Sequence, residues 1–467
     1  MKEAMRKFFS GVEFIKSDLL MFLPFSLLIV ITGKENLIYP WFILMLIKEG
    51  YMIVKRGKVF EESLLSLTLY TYILADNYSS MVMTLILTVY ILSQIIRGKR
   101  KINLSNKTKY IIMGIFIYIV VNIILNRVPM ANILLYIFYN ATFVCIMFII
   151  LAYKPYEYGD TLEKVMNTMI MAQILHLIIY IPLNIDVIII HRIGDWAIGT
   201  LGTSQGPMLF NLFIFSFIRF FMRFKENKKK NLLGWMAIVF IFGILTVSTA
   251  LTMLFVVSMG IYSVLFTSNK LRIIIVSTLI GLSAVFYVTS PSWIQYQIKS
   301  TLFDSEFRND EIKKFAYYED TFLTVPKKDA SFALKGAGLG CYSSRAALTS
   351  SGYYANWYNK LKLPIYNGQY MRKYIKPRLY SRYGLSVVDQ PTSQYISIMG
   401  EFGYIGFIMF IALLVIFFIK SPNNRLTIIY LAMILTIDNW FEYPKLSILF
   451  FFTYYLIENY YEKHVKS

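Results

Sequence analysis

Fourteen apolar runs divide this chain, most of them only a few polar residues apart. They fall at about 18–33, 37–54, 61–76, 79–96, 109–126, 131–152, 163–183, 202–222, 232–248, 250–267, 271–289, 395–419, 425–438 and 444–461. A membrane-spanning helix needs roughly 17–25 mostly apolar residues. Several runs are short, and 232–267 can be read as one broken helix. The expected fold class is therefore an all-α polytopic integral membrane protein of about 12–14 transmembrane helices. Composition agrees. Of 467 residues 57% are hydrophobic and 16% charged, whereas soluble domains carry about 25% charged residues. An ordinary soluble enzyme is excluded, and so is a disordered chain.

The basic residues test the topology. Short cytoplasmic loops collect Lys and Arg. With the N-terminus inside and fourteen spans, one side receives Lys2/Arg6/Lys7/Lys16, Lys55/Arg56/Lys58, Arg97 through Lys109, Arg219 through Lys230, Lys270/Arg272, Lys420/Arg425 and Lys463/Lys467. The short connections on the other side carry only Lys34, Arg127, Arg192 and Lys445. The net charge of +20 is thus explained by membrane topology, and no nucleic-acid partner is expected. The first eighteen residues are too polar for a cleaved signal, so an uncleaved first span is expected. Both termini are expected in the cytoplasm.

This arrangement leaves one long outside segment and three expected regions: a transmembrane bundle over 1–290 (about 11 spans), a large extracytoplasmic loop domain over 291–394, and about 3 C-terminal spans over 395–467. In the loop, Ala330 to Val388 holds nine basic residues and no acid: Lys335, Arg345, Lys360, Lys362, Arg372, Lys373, Lys376, Arg378 and Arg382. Translocated loops are largely exempt from the charge rule, so a solvated surface accounts for such a tract. An anion site in which guanidinium forks grip phosphate or diphosphate accounts for it better. Pro291-Ser292-Trp293 and 304–320 read as interfacial amphipathic helix, with Trp293, Tyr296 and Phe303 at headgroup depth.

Local signals are few. His191-Arg192 through Pro207 sets three glycines and a proline at the mouth of a span, irregular backbone of the kind that lines a cavity. Leu245 to Ala250 reads as a tight turn. Gly336-Ala-Gly338-Leu-Gly340 lacks the strand and the acid of a dinucleotide fingerprint. It reads as a tight loop whose N–H groups approach an anion. Glu401 lies about a turn inside its span, where an acid must be paired or face water. Asp438 and Glu442 bracket Trp440 as belt decoration. Two cysteines and three scattered histidines support neither a disulfide framework nor a metal site.

Three of these pieces, in order, resemble the O-antigen ligase and polymerase superfamily of bacterial inner-membrane glycosyltransferases. Arg192 with Gly199-Thr-Leu-Gly-Thr-Ser-Gln-Gly-Pro207 is similar to the family's Arg…G-T-F-G-N-P-N segment. Arg308 and Leu334 through Tyr342 resemble the arginine and G-x-G-x-G stretch of its long periplasmic loop. Pro391-Thr392-Ser393 through Gly406 resembles its P-H-N-x-Y-L-x-x-L-A-E-x-G-x-x-G. The family's histidine falls on Thr392 and its asparagine on Ser393, and Thr249 stands where an arginine follows the family's serine, which favours the polymerase branch.

The resemblance implies a polysaccharide polymerase at the outer face of the cytoplasmic membrane. A glycan on a polyprenyl (undecaprenyl) diphosphate would be transferred to a sugar hydroxyl of another lipid-linked repeat unit, without nucleotide, cofactor or metal. The expected diphosphate clamp is Arg192, Arg308, Arg345, Arg378 and Arg382, with Lys376 assisting. Asp389 or Glu401 is the expected base, beside Arg192 and Thr392. Tyr353, Tyr354 and Trp357 form a sugar-stacking platform or pack the loop core. The implied partners are lipid-linked oligosaccharides and membrane lipids, with a chain-length regulator and a flippase. Two rival readings are a ligase delivering a finished glycan to a lipid or protein and, from another class, a flippase or transporter. The transporter predicts repeat-related halves, and no such repeat is present.

Overall fold

The computed structural model describes residues 12–100, 106–152, 157–184, 199–202, 205–246, 248–289, 292–304, 313–379 and 390–464. Among them every regular element is helical. In chain order these are α1 (Lys16–Thr32), α2 (Ile38–Arg56), α3 (Phe60–Tyr70), α4 (Tyr78–Ile96), α5 (Asn106–Asn126), α6 (Met130–Ala152), α7 (Gly159–Leu183), α8 (Gly206–Asn227), α9 (Lys230–Leu245), α10 (Thr249–Phe266) and α11 (Asn269–Thr289). Then come α12 (Ser292–Phe303), α13 (Lys313–Glu319), α14 (Val325–Lys328), α15 (Ala330–Lys335), α16 (Arg345–Ser350), α17 (Asn356–Lys360), α18 (Gln394–Lys420), α19 (Arg425–Ile434) and α20 (Pro444–His464).

Each of the fourteen apolar runs is a helix, α1–α11 and α18–α20. A helix satisfies its own backbone groups, which is what an apolar run requires wherever it lies in an apolar solvent. Even the hydroxyls turn inward. Thr68, Thr84 and Thr88 donate to the carbonyls four residues back at 2.7–2.8 Å. Among the described residues seven helices are long and apolar enough to cross a membrane: α2 with its lead-in from Glu35, α4, α5, α6, α7, α8 and α18. The 232–267 stretch is two helices, broken after Leu245. Residues 292–303 are helical, with Tyr296 and Phe303 exposed. The Trp293 side chain and residues 305–312 lie outside the described residues.

Compactness divides the chain into two units. The first is Met1–Asn103, Ala141–Phe255 and Tyr443–Ser467. Trp41 joins α1, α2 and α3, meeting Phe22 and Tyr70 edge-on at 5.7 and 5.4 Å. Phe217 of α8 meets Phe255 at 5.3 Å and Phe240 at 5.8 Å. Ion pairs gather at one end of this unit. Arg100 forks onto Glu61 at 2.8 Å and onto Glu157 at 2.9–3.0 Å. Arg223 forks onto Glu163 at 2.8 and 2.7 Å, and Lys463 reaches Asp160 at 2.9 Å. These cations come from separate basic clusters expected on a single side, and the packing brings their helix ends together.

The second unit is Leu104–Asn140 and Val256–Glu442. Its short helices close on a buried cluster that includes Tyr317, Val325, Phe332, Tyr342, Leu348, Met371, Ile375 and Ile396. The basic tract is therefore folded around an apolar core and tied to the start of α18.

Candidate functional site

The site grows from the glycine loop and α18. Residues 336–340 run beside the α18 backbone: Ala337 N–H donates to Gly400 O at 2.8 Å and Gly338 N–H to Glu401 O at 3.0 Å. Gly336 (φ 68°) and Gly403 (φ 67°) make this approach possible. A Cβ on Gly336 would stand 2.4 Å from Glu401 C, and one on Gly403 2.5 Å from Leu334 C. The loop does meet an anion, as its glycines suggest, and that anion belongs to the protein. The fully buried Glu401 carboxylate accepts backbone N–H groups of Gly340 at 2.9 Å, Ser344 at 3.2 Å and Tyr342 at 3.4 Å. Asn122 and Asn132 fasten the loop from α5 and α6, through Lys335 O and Gly340 O.

A second buried polar group adjoins it. Arg345, 2% exposed, places Nη2 2.9 and 2.8 Å from the two oxygens of Asp438. Its backbone N–H donates to Glu442 Oε2 at 2.7 Å, and its guanidinium lies 4.8 Å from the Tyr354 ring centroid. Asn439 Nδ2 donates to Ser397 Oγ at 2.9 Å, and Ser397 meets Ser343 at 2.9 Å. Burial pushes the Glu442 carboxyl up to about 8, against the pull of Arg345. Burial likewise pushes the Cys341 thiol up to about 12. Asp438 and Glu442 are thus buried partners of Arg345, which corrects their reading as belt decoration.

The third part is cationic and borders an apolar groove. Lys314 donates from Nζ to Thr392 O at 2.5 Å and to Ile437 O at 2.9 Å. One turn on, Tyr318 OH meets Ser393 Oγ and Thr436 O, each at 2.7 Å. Lys313 Nζ reaches Arg378 O at 3.4 Å, and the Arg378 guanidinium pairs with Asp320. Thr392 is 1% exposed, and its hydroxyl has no hydrogen-bond partner among the described residues. Beside these groups opens a groove of about 340 Å³ lined by Tyr318, Phe322, Tyr395, Phe407, Ile411 and Thr436.

Of the residues expected at the site, the fold brings Arg378 and Thr392 into one neighbourhood through Lys313 and Lys314. Arg345 and Glu401 are engaged by protein groups. Lys376 Nζ lies 5.4 Å from the Tyr353 ring centroid. Trp357 packs on Phe138 at 6.5 Å and on Tyr358 at 5.8 Å, so packing is what holds it. Arg192, Arg308, Arg382 and Asp389 lie outside the described residues. Sequence reasoning missed Lys314 and Asn132, and it misread Asp438 and Glu442. An asparagine or lysine in an apolar or amphipathic helix was the available signal.

Fold and site define a helical, polytopic, membrane-embedded protein with a buried polar centre beside an apolar groove. Comparison with family models, curated proteins and solved structures gives no match for this chain.

Proposed function

We propose that this protein is a glycosyltransferase that polymerises polyprenyl-diphosphate-linked oligosaccharide repeat units into a surface polysaccharide, at the outer face of the cytoplasmic membrane. The observation that carries the reading is the groove of about 340 Å³ with Tyr318 hydrogen-bonded to Ser393 at its edge and Lys314 one turn away. An apolar trough beside lysine, arginine and hydroxyl groups suits an amphiphile with an isoprenoid tail and an anionic head. In this reading the chain has about 12–14 spans, cytoplasmic termini and an extracytoplasmic segment over 291–394.

The chemistry follows from the charges. The bond from the donor sugar C1 to the diphosphate oxygen breaks, and its electron pair leaves on the diphosphate. The acceptor hydroxyl oxygen forms the new bond to C1 and gives its proton to a base. Lys313 and Arg378, with Arg192, Arg308 and Arg382, stabilise the leaving charge. Glu401 has its oxygens committed to backbone N–H groups, so Asp389 is assigned the proton.

The test is extension in detergent, with synthetic polyprenyl-diphosphate repeat units and no nucleotide. A ladder of lipid-linked oligomers that disappears in Arg192→Ala and Arg378→Ala is expected. The absence of any ladder with a verified cognate repeat unit overturns the polymerase. A ladder that survives both substitutions overturns the cationic clamp.

A further inference from the structure

Two basic turns meet at the end of the second unit away from Glu401. One joins α10 to α11 and leads into Arg272; the other joins α18 to α19 and runs from Lys420 to Arg425. The Arg425 guanidinium lies 4.7 Å from the Phe266 ring centroid and 5.6 Å from that of Phe418, and the two rings are 5.8 Å apart. Arg272 Nη2 reaches Thr267 O, one residue beyond Phe266, at 3.4 Å. The end of α10 therefore anchors both guanidinium groups. Lys420 closes α18 roughly 28 Å from Glu401, at the rise of an α-helix.

No counter-charge accompanies these cations. The sequence has no Asp or Glu between Glu226 and Asp304 or between Glu401 and Asp438, and residues 104–140, the other segment of this unit, have none either. The paired carboxylates of the unit, Asp320, Asp438 and Glu442, serve Arg378 and Arg345. Among the described residues Arg272, Lys420 and Arg425 make no ion pair, and the buried Nε atoms of both arginines have no hydrogen-bond partner. Both arginines are only half-buried, so the outer nitrogens of each fork are open, and Lys420 is exposed.

Donors without acceptors, and positive charges without a negative one, suit an anion, and a guanidinium fork suits phosphate. Rings on the faces of Arg425 fix its plane and leave the N–H edge free. The surroundings indicate the source of the phosphate. Leu265, Ile273 and Ile419, chain neighbours of these groups, are 60–67% exposed. A soluble phosphate gains nothing from that apolar rim. A phospholipid does, because its acyl chains cover the rim while its headgroup meets the cations.

We propose that Arg272, Lys420 and Arg425 bind the headgroup phosphate of an anionic phospholipid. The site stands at the other end of α18 from Tyr395 of the groove, and it does not depend on the glycosyl-transfer reading.

Full-length protein in a neutral detergent is titrated with dioleoyl phosphatidylglycerol and, in parallel, with dioleoyl phosphatidylcholine, and bound lipid is counted by native mass spectrometry. The native protein should retain one phosphatidylglycerol at concentrations where phosphatidylcholine does not bind. Arg425→Gln should weaken that binding about tenfold, the loss of one charged hydrogen-bonding group. Arg425→Lys, which keeps the charge and loses the fork, should weaken it less. Arg272→Gln should weaken it several-fold, and it decides the matter if Arg425→Gln does not fold. Lys228→Gln, in the basic turn between α8 and α9 of the first unit, should leave it unchanged. Equal retention of the two lipids, or full affinity in both Arg272→Gln and Arg425→Gln, overturns the proposal. An equal loss in Lys228→Gln would mean diffuse attraction by net charge and overturns it too. Inorganic phosphate that binds as tightly and displaces the lipid would make this a site for a soluble anion. Sugar-free polyprenyl diphosphate that displaces the lipid, and whose own binding is lost in Arg425→Gln, would give the cations to the transferase substrate; either result overturns the phospholipid. A protein that retains phosphatidylglycerol through these residues but makes no ladder keeps the lipid site and loses the polymerase.

Discussion

Arg345 Nη2 lies 2.9 and 2.8 Å from the two carboxylate oxygens of Asp438, a contact that spans 93 residues of sequence and is sealed from solvent on both sides. A buried pair of this kind stabilises little against an apolar substitute of the same shape. Losing one partner, by contrast, leaves the other charge buried and unpaired. Arg345→Met and Asp438→Leu should therefore each cost about 3–5 kcal/mol. The double substitution should cost less than the sum of the two. Thermal unfolding of the purified variants in detergent measures the cycle, and additive losses would show that the pair is not coupled.

Glu401 makes a different kind of anchor. Three backbone N–H groups of the glycine loop end on its carboxylate, and hydrogen bonds to charged groups contribute about 1.5–3 kcal/mol each. Glu401→Ala should lower stability by at least about 3 kcal/mol and expose residues 336–344 to limited proteolysis. Glu401→Gln, which still offers an oxygen to the loop, should lose less. Equal losses in the two variants would mean that the charge, and not the acceptor geometry, holds the loop.

These two anchors show where the sequence stops being readable. All fourteen helices could be placed from apolar runs, because a helix satisfies its own backbone and needs no distant partner. Arg345 was not. Its local tract has no acid, so it looked open to an outside anion, and its carboxylate arrives from the turn before α20. The glycine loop was half readable. Its spacing announced an anion, but nothing local said that the anion would be Glu401, 61 residues on from Gly340. Lys314 was invisible because a lysine in an amphipathic stretch normally points to water.

The two facing glycines give a steric prediction. Gly403 breaks the helical path inside α18 at φ 67° and ψ −170°, and an added Cβ would meet the Leu334 backbone, which cannot swing aside as a flexible side chain could. Gly403→Ala should therefore cost more than the roughly 1 kcal/mol by which alanine ordinarily favours a helix interior over glycine, and with the opposite sign. A rise in thermal midpoint for Gly403→Ala would show that α18 straightens without harm. Gly336→Ala should behave likewise.

Glu442 supplies a pH dependence whose sign can be worked out. Its carboxyl moves from 4.5 to about 8 on folding, chiefly by burial. The folded state therefore holds a proton that the unfolded chain has lost between these two values. Where the folded state binds more protons, stability falls as pH rises. The contribution is fully present below pH 4.5 and is lost as the pH climbs toward about 8. Glu442→Gln fixes the side chain in an uncharged form and should remove this part of the slope. Thermal midpoints of the native protein and the variant, taken across that window, should converge at the acid end and separate at the alkaline end with the variant higher. Parallel curves would mean that Glu442 keeps its charge when the protein folds, with Arg345 compensating for its burial.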